Sequence, residues 1–147
     1  MKHILLVGAL VGLLGVGGAS AQTAKATSLG TVRLTMAVLA DGQPLPAGTY
    51  QVRVSDDAVK PAVGMDPAAS RWVEFVKGGK VAGREVASVI GKDDIGKIAK
   101  GAHPKGNGAS VELLVGGDYL RVWIAHGNEH YLINMPPAKK AAAPAGK

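Results

Sequence analysis

The sequence predicts an all-β domain: an antiparallel sandwich or partly open barrel of about seven strands, with at most one short helix. Three observations predict it. Apolar and polar residues alternate over short runs, as at Val32, Leu34, Met36 and Val38, and a period of two marks a half-buried strand. Turn dipeptides separate such runs at Asp41-Gly42, Gly78-Gly79 and Gly127-Asn128. Helical spacing is confined to Asp93–Lys100, where Ile95, Ile98 and Ala99 fall on one side, Gly96 sits inside and Gly101 could end the turn. A single flat sheet would leave a broad apolar face wet, so the strands must stack or curl.

The chain opens with an export signal. Lys2 and His3 give a positive start, Ile4–Val16 is almost wholly apolar, and Ala19-Ser20-Ala21 offers small residues to a signal peptidase. Cleavage is expected before Gln22. The apolar run is shorter than the roughly 18–20 residues that span a bilayer, and its glycines disfavour a buried helix. No transmembrane anchor is therefore expected after cleavage, and the mature protein is expected to be periplasmic or extracellular.

Residues 22–30 are small and polar and read as a flexible lead-in to a single β domain over 31–135. The first strand begins at Thr31 and stops at Asp41-Gly42. Gln43–Gly48, with Pro44 and Pro46, is turn-rich, and proline's missing donor excludes a central strand there. Thr49–Val54 alternates again. Ser55–Ser70 reads as a long loop. Arg71–Lys77 and Lys80–Ile90 form a hairpin around Gly78-Gly79. A three-residue loop would set Trp72 opposite Val86, Glu74 opposite Arg84 and Phe75 opposite Gly83. A two-residue loop would set Val76 opposite Val81 and lose the charge pair, so the pairing chemistry leans to the first. Ser110–Val115, Tyr119–His126 and His130–Met135 form a meander. Residues 136–147 contain only Pro, Ala, Lys and Gly and are expected to be disordered.

Charge and composition exclude several function classes. The chain has 17 Lys and Arg against 11 Asp and Glu. The excess sits in the leader and tail: residues 22–135 hold 13 basic and 11 acidic side chains. A nucleic-acid binder needs a basic patch on the folded body, so no nucleic-acid partner is expected. The three tail lysines could make a weak, salt-screened contact with an anionic surface. No cysteine is present, so the fold is disulfide-free and has neither a lipid-anchored cysteine nor thiolate chemistry.

Candidate chemistry is sparse. His126 and His130 flank Gly127-Asn128-Glu129. A two-residue turn would pair His126 with Glu129 and His130 with Ala125, placing the imidazoles on opposite faces; a three-residue turn could bring them together as metal ligands. Asp56-Asp57 and Asp93-Asp94 are neighbouring acids without the facing geometry of a hydrolytic pair. Ser55, Ser70, Ser88 and Ser110 lack a nucleophile-elbow context, and His103 has no evident partner. No cofactor is expected. Tyr119, Arg121 and Trp123 share one strand face: either an aromatic platform for a sugar or peptide, or, as the weight of aromatic area favours, core packing against a second sheet.

Leu45-Pro46-Ala47-Gly48-Thr49-Tyr50-Gln51-Val52 resembles the turn-into-strand segment of carboxypeptidase-regulatory-like and transthyretin-like β-sandwich modules. Arg71-Trp72-Val73-Glu74-Phe75 and Tyr119-Leu120-Arg121-Val122-Trp123 are similar to segments of small exported bacterial β-rich proteins of uncharacterised function. The resemblance implies a sandwich and a non-catalytic role, and assigns no functional residue. Together these readings point to a non-enzymatic envelope or secreted module that binds or scaffolds, with an envelope protein or polymer as partner. Two alternatives remain: a carbohydrate- or peptide-binding module using Tyr119, Arg121 and Trp123, and a metal-dependent hydrolase using His126 and His130.

Overall fold

The computed structural model describes residues 26–60, 63–64, 66–98 and 103–138. The leader, residues 22–25 of the lead-in and residues 139–147 of the tail lie outside these. Nine strands are present: β1 Ser28–Leu34, β2 Val38–Ala40, β3 Gln43–Leu45, β4 Gly48–Val54, β5 Ser70–Lys77, β6 Lys80–Gly91, β7 Ala109–Leu113, β8 Leu120–His126 and β9 Glu129–Met135. One helix, α1, covers Lys92–Ile98, and a 3-10 turn covers Pro67–Ala69. Seven strands form one antiparallel sheet in the order β1-β4-β5-β6-β9-β8-β7, which curls into a nearly closed barrel. β2 and β3 form a separate ribbon.

The barrel is filled from every side. Inward side chains include Val32 and Leu34 of β1, Tyr50 and Val52 of β4, Val73 and Phe75 of β5, Val122 and Ile124 of β8, and Ile133 and Met135 of β9. A bulge between Ser28 and Gly30 restores phase, so that Leu29 and Val32 both enter this core despite their odd spacing. The expected first strand is broken at Thr35–Ala37, which lets β2 turn away from β1. Asp41-Gly42 is the tip of the β2–β3 hairpin, with φ of 47° and 74°, a backbone that aspartate and glycine tolerate. Pro44 pairs with Leu39 in this two-stranded ribbon, where a missing donor is tolerated.

The ribbon supplies Val38, Ala40 and Leu45 to the barrel core. Its seat is Gly83 of β6: a Cβ there would lie 3.2 Å from Leu45 Cδ1 and 3.4 Å from the Ala40 Cβ. The missing side chain thus makes room for Leu45. Glu85 Oε2 accepts a hydrogen bond from the Asp41 amide at 2.8 Å and fastens the hairpin tip.

The β5–β6 hairpin uses both registers that its sequence allows. Lys77 pairs with Lys80 and Val76 with Val81 around a two-residue Gly78-Gly79 turn. A bulge then shifts the ladder, and Phe75 pairs with Gly83, Glu74 with Arg84 and Trp72 with Val86. The charge pair that favours this register is not the one formed. Glu74 bonds Arg53 of β4 at 2.6 Å, because Arg53 lies opposite it on the other side. The β8–β9 hairpin has the two-residue register throughout, pairing His126 with Glu129, Ala125 with His130 and Ile124 with Tyr131.

Backbone pairing extends to either side of residues 31–135. β1 starts at Ser28, and Thr27 accepts from the Val54 amide at 2.8 Å. At the other end, Pro136 accepts from the Leu39 amide at 2.8 Å and the Ala138 amide donates to Ala37 at 2.9 Å. Val38 and Pro137 form a β-bridge. Proline lacks only a donor; its carbonyl still accepts.

Two stability changes follow. Gly83→Val should destabilise the domain by about 1–3 kcal/mol through overpacking against Leu45, seen as a lower urea midpoint with an unchanged slope. Truncation after Met135 removes both hydrogen bonds to the β2 segment and should cost about 1–3 kcal/mol, whereas truncation after Ala138 should leave the midpoint in place.

Candidate functional site

The outer surface of the sheet carries two aromatic sites. The first lies on β5 and β6. Val73 and Phe75 point into the core, so alternation turns Trp72 and Glu74 outward. The Arg84 guanidinium stands over the Trp72 ring at 4.3 Å from its centroid. Asp57 holds Arg84 Nη1 at 3.0 Å, and Asp41 approaches Nε at 3.6 Å. Ser55 accepts from the Asp57 amide at 3.2 Å, a local turn that aims the aspartate back at β6. Beside this stack runs an open groove of about 480 Å³, lined by Asp57, Ala58, Val59, Lys60, Trp72, Arg84 and Val86.

The second site lies on β8 and β9. Ile95 of α1 packs with Trp123 and Leu132, and Ile90 of β6 borders them. This is a small second core outside the barrel. Trp123 is 5% exposed and His130 7%. The indole Nε1–H donates to His130 Nδ1 at 2.8 Å. The His103 ring lies 5.7 Å from the His130 ring and 6.1 Å from the indole. Burial, and then the neighbouring His103, push the His130 pKa below the usual histidine value.

These placements locate the residues singled out by sequence. Trp123 is packed, though against a helix and a histidine rather than a second sheet. Tyr119 is 47% exposed at the β7–β8 end. Arg121 lies between them in sequence, its Nε donating to Asn134 Oδ1 at 3.1 Å. His126 and His130 stand on opposite faces of the hairpin, as their pairing partners require. The Trp123 bond also occupies the one lone pair that a neutral His130 offers at Nδ1. His130 instead meets His103, which lies in a loop with no periodicity to announce it. Among the described residues no group of three histidine or acidic side chains is disposed to hold a metal ion.

One acid of each neighbouring pair has a structural partner. Asp57 belongs to the Arg84 stack. Asp93 and Asp94 occupy the first turn of α1, and Asp94 binds Lys97 at 2.7 Å; acids are favoured at that end of a helix. A polar pair with one buried member escapes the sequence reading altogether. Tyr131, buried at the barrel end, donates to Glu129 Oε2 at 2.7 Å. Burial, and then the Glu129 carboxylate, push the Tyr131 pKa up to about 12.

In comparisons with protein-family models, curated proteins and solved structures, none matches the chain.

The Tyr131 shift gives a stability profile. A phenol whose folded pKa is raised contributes stability that is complete below its unfolded value of about 10 and is lost as pH rises toward the folded value. Urea midpoints of the wild type should therefore fall between about pH 10 and 12, and the difference from Tyr131→Phe should shrink over that window.

Proposed function

We propose that this chain is a non-enzymatic binding module that works outside the cytoplasm, in the cell envelope or beyond it, and that its ligand face is the Trp72–Arg84 groove. One observation carries the reading. A planar guanidinium is fixed on a tryptophan by two carboxylates, and the resulting shelf borders an open groove. A planar arginine–tryptophan stack beside a groove rimmed by fixed donors and acceptors suits a pyranose ring, which offers a C–H face and equatorial hydroxyls. Arg84 is already matched by Asp41 and Asp57, so a neutral sugar fits better than a strongly anionic one. The export signal read from Lys2–Ala21 supports an envelope glycan as the source.

A second reading is favoured by the β7–β8 end, where Leu113 is 49% exposed, Val115 fully exposed and Tyr119 47%. That apolar tip suits a peptide or protein partner of the envelope.

The primary reading is tested with the secreted chain, whose mass should correspond to a start at Gln22. Calorimetric titration with neutral oligosaccharides from the envelope should show saturable binding. Trp72→Ala and Arg84→Ala should each weaken it by about tenfold or more, in line with the loss of a central aromatic or arginine contact. Undiminished affinity in Trp72→Ala, or no binding by the wild type, would remove the groove from consideration.

A further inference from the structure

We propose that the Trp123–His130 hydrogen bond is an acid-sensitive latch, which fastens α1 and His103–Lys105 to the outer face of β8 and β9 and releases them when His130 is protonated. The proposal is independent of what the Trp72 groove binds.

An indole has one N–H and no acceptor, and neutral imidazole has one acceptor nitrogen. The 2.8 Å bond between Trp123 Nε1 and His130 Nδ1 uses both. His130 must then carry its own proton on Nε2. A second proton on Nδ1 would set two N–H donors head to head across that distance. Both rings are buried, so water cannot take over the lost bond without the cover moving.

Among the described residues, no group nearby stabilises a charged His130. β8 presents Trp123 and Ala125, and β6 presents Ile90 opposite His130. From α1, Ile95 is buried, while Lys92, Asp93, Asp94 and Lys97 are exposed and Asp94 and Lys97 pair with each other. The loop presents His103, whose own charge would repel a second imidazolium; Lys105 is exposed. Arg121 is engaged by Asn134 and Glu112. Among these groups no carboxylate favours the cation, and the two physical effects on His130 both oppose it.

Release can be local. The barrel core draws no residue from α1 or from His103–Lys105. α1 contributes only Ile95 to the outer cluster. The next residues stay anchored, since Asn107 accepts from the Gly127 amide at 3.1 Å and Gly108 accepts from the Ala125 amide at 2.8 Å. Lifting the cover would expose Trp123, Leu132 and Ile90 while the sheet remains intact.

The sign is set by the lowered pKa of a histidine held neutral. Above about pH 6.5 both folded and unfolded forms are neutral, and the latch is fully closed. Below it the unlatched form gains the proton first, and closure weakens as pH falls toward the folded pKa.

The test uses the secreted chain and its Trp72→Phe variant, in which Trp123 is the sole tryptophan. Between about pH 7.5 and 5, Trp123 emission should shift to the red with a midpoint below about 6.5. Protection factors of the α1 amides, referred to the intrinsic exchange rate at each pH, should fall about tenfold or more while those of β4, β5 and β8 are kept. In His130→Gln, whose amide oxygen accepts the indole N–H without titrating, both changes should vanish. Should that variant not fold, the nitrogen shifts of wild-type His130 decide: the Nε2–H tautomer at neutral pH supports the latch, and the Nδ1–H tautomer overturns it. The proposal also fails if Trp123 emission is flat over the range, if the transition survives in His130→Gln, or if the whole sheet loses protection together with α1.

Discussion

The molecule depends on one hairpin being buried on both faces. β8 and β9 turn Val122, Ile124, Tyr131 and Ile133 into the barrel and Trp123 and Leu132 outward under α1. Burial of the second face needs a cover, and the chain provides only a seven-residue helix with a single buried apolar residue. So short a helix has little stability of its own. It holds its place through packing, and through the His103–Trp123–His130 group beside it. The barrel interior needs no such help. There the β2–β3 ribbon adds Val38, Ala40 and Leu45 to the core, seated on a position where even a Cβ would press tightly on Leu45.

The same hairpin separates structural from chemical roles among the titratable groups. A histidine whose acceptor nitrogen is held by an indole is not free to act as a base or a ligand while that bond lasts. Tyr131 and Glu129 likewise satisfy each other. The Trp72–Arg84 stack differs. Its arginine is 43% exposed in its side chain and its acids are half exposed or more, so the polar rim remains open to solvent and to a ligand.

Much of this was legible in the sequence, for definite reasons. Period-two alternation located the seven strands of the main sheet, while Gly127-Asn128 left a two- or a three-residue turn open, and the chain adopts the two-residue one. Gly78-Gly79 admitted two registers, and the chain adopts both by inserting a bulge, which no pairwise comparison of partners would favour. Pro44 lies in the two-stranded ribbon, in keeping with a lost donor that excludes only a central strand, and Pro136 enters the pairing through its carbonyl, which composition alone does not announce. The double burial of β8 did leave a trace: Val122-Trp123-Ile124-Ala125 is a continuous apolar run, the mark of a strand covered on both sides. His103 left none, since a loop residue enters a site through tertiary geometry alone. The Trp72 groove was equally hidden, because Asp57 reaches Arg84 across a long loop.

The strand order has a consequence for how the fold is assembled. Read along the sheet, β4-β5-β6 and β9-β8-β7 are two three-stranded meanders, the first with a long connection between β4 and β5. Their ladders join through Ser88–Gly91 against Glu129–Leu132, four pairs beside the seven of β8–β9. Local pairings tend to form ahead of distant ones because they close shorter loops. On that ground the joint between β6 and β9 is expected to follow the hairpins. α1 leaves the end of β6 and packs across that joint onto both partners. The small outer cluster thus lies as a clasp across the joint between the two meanders.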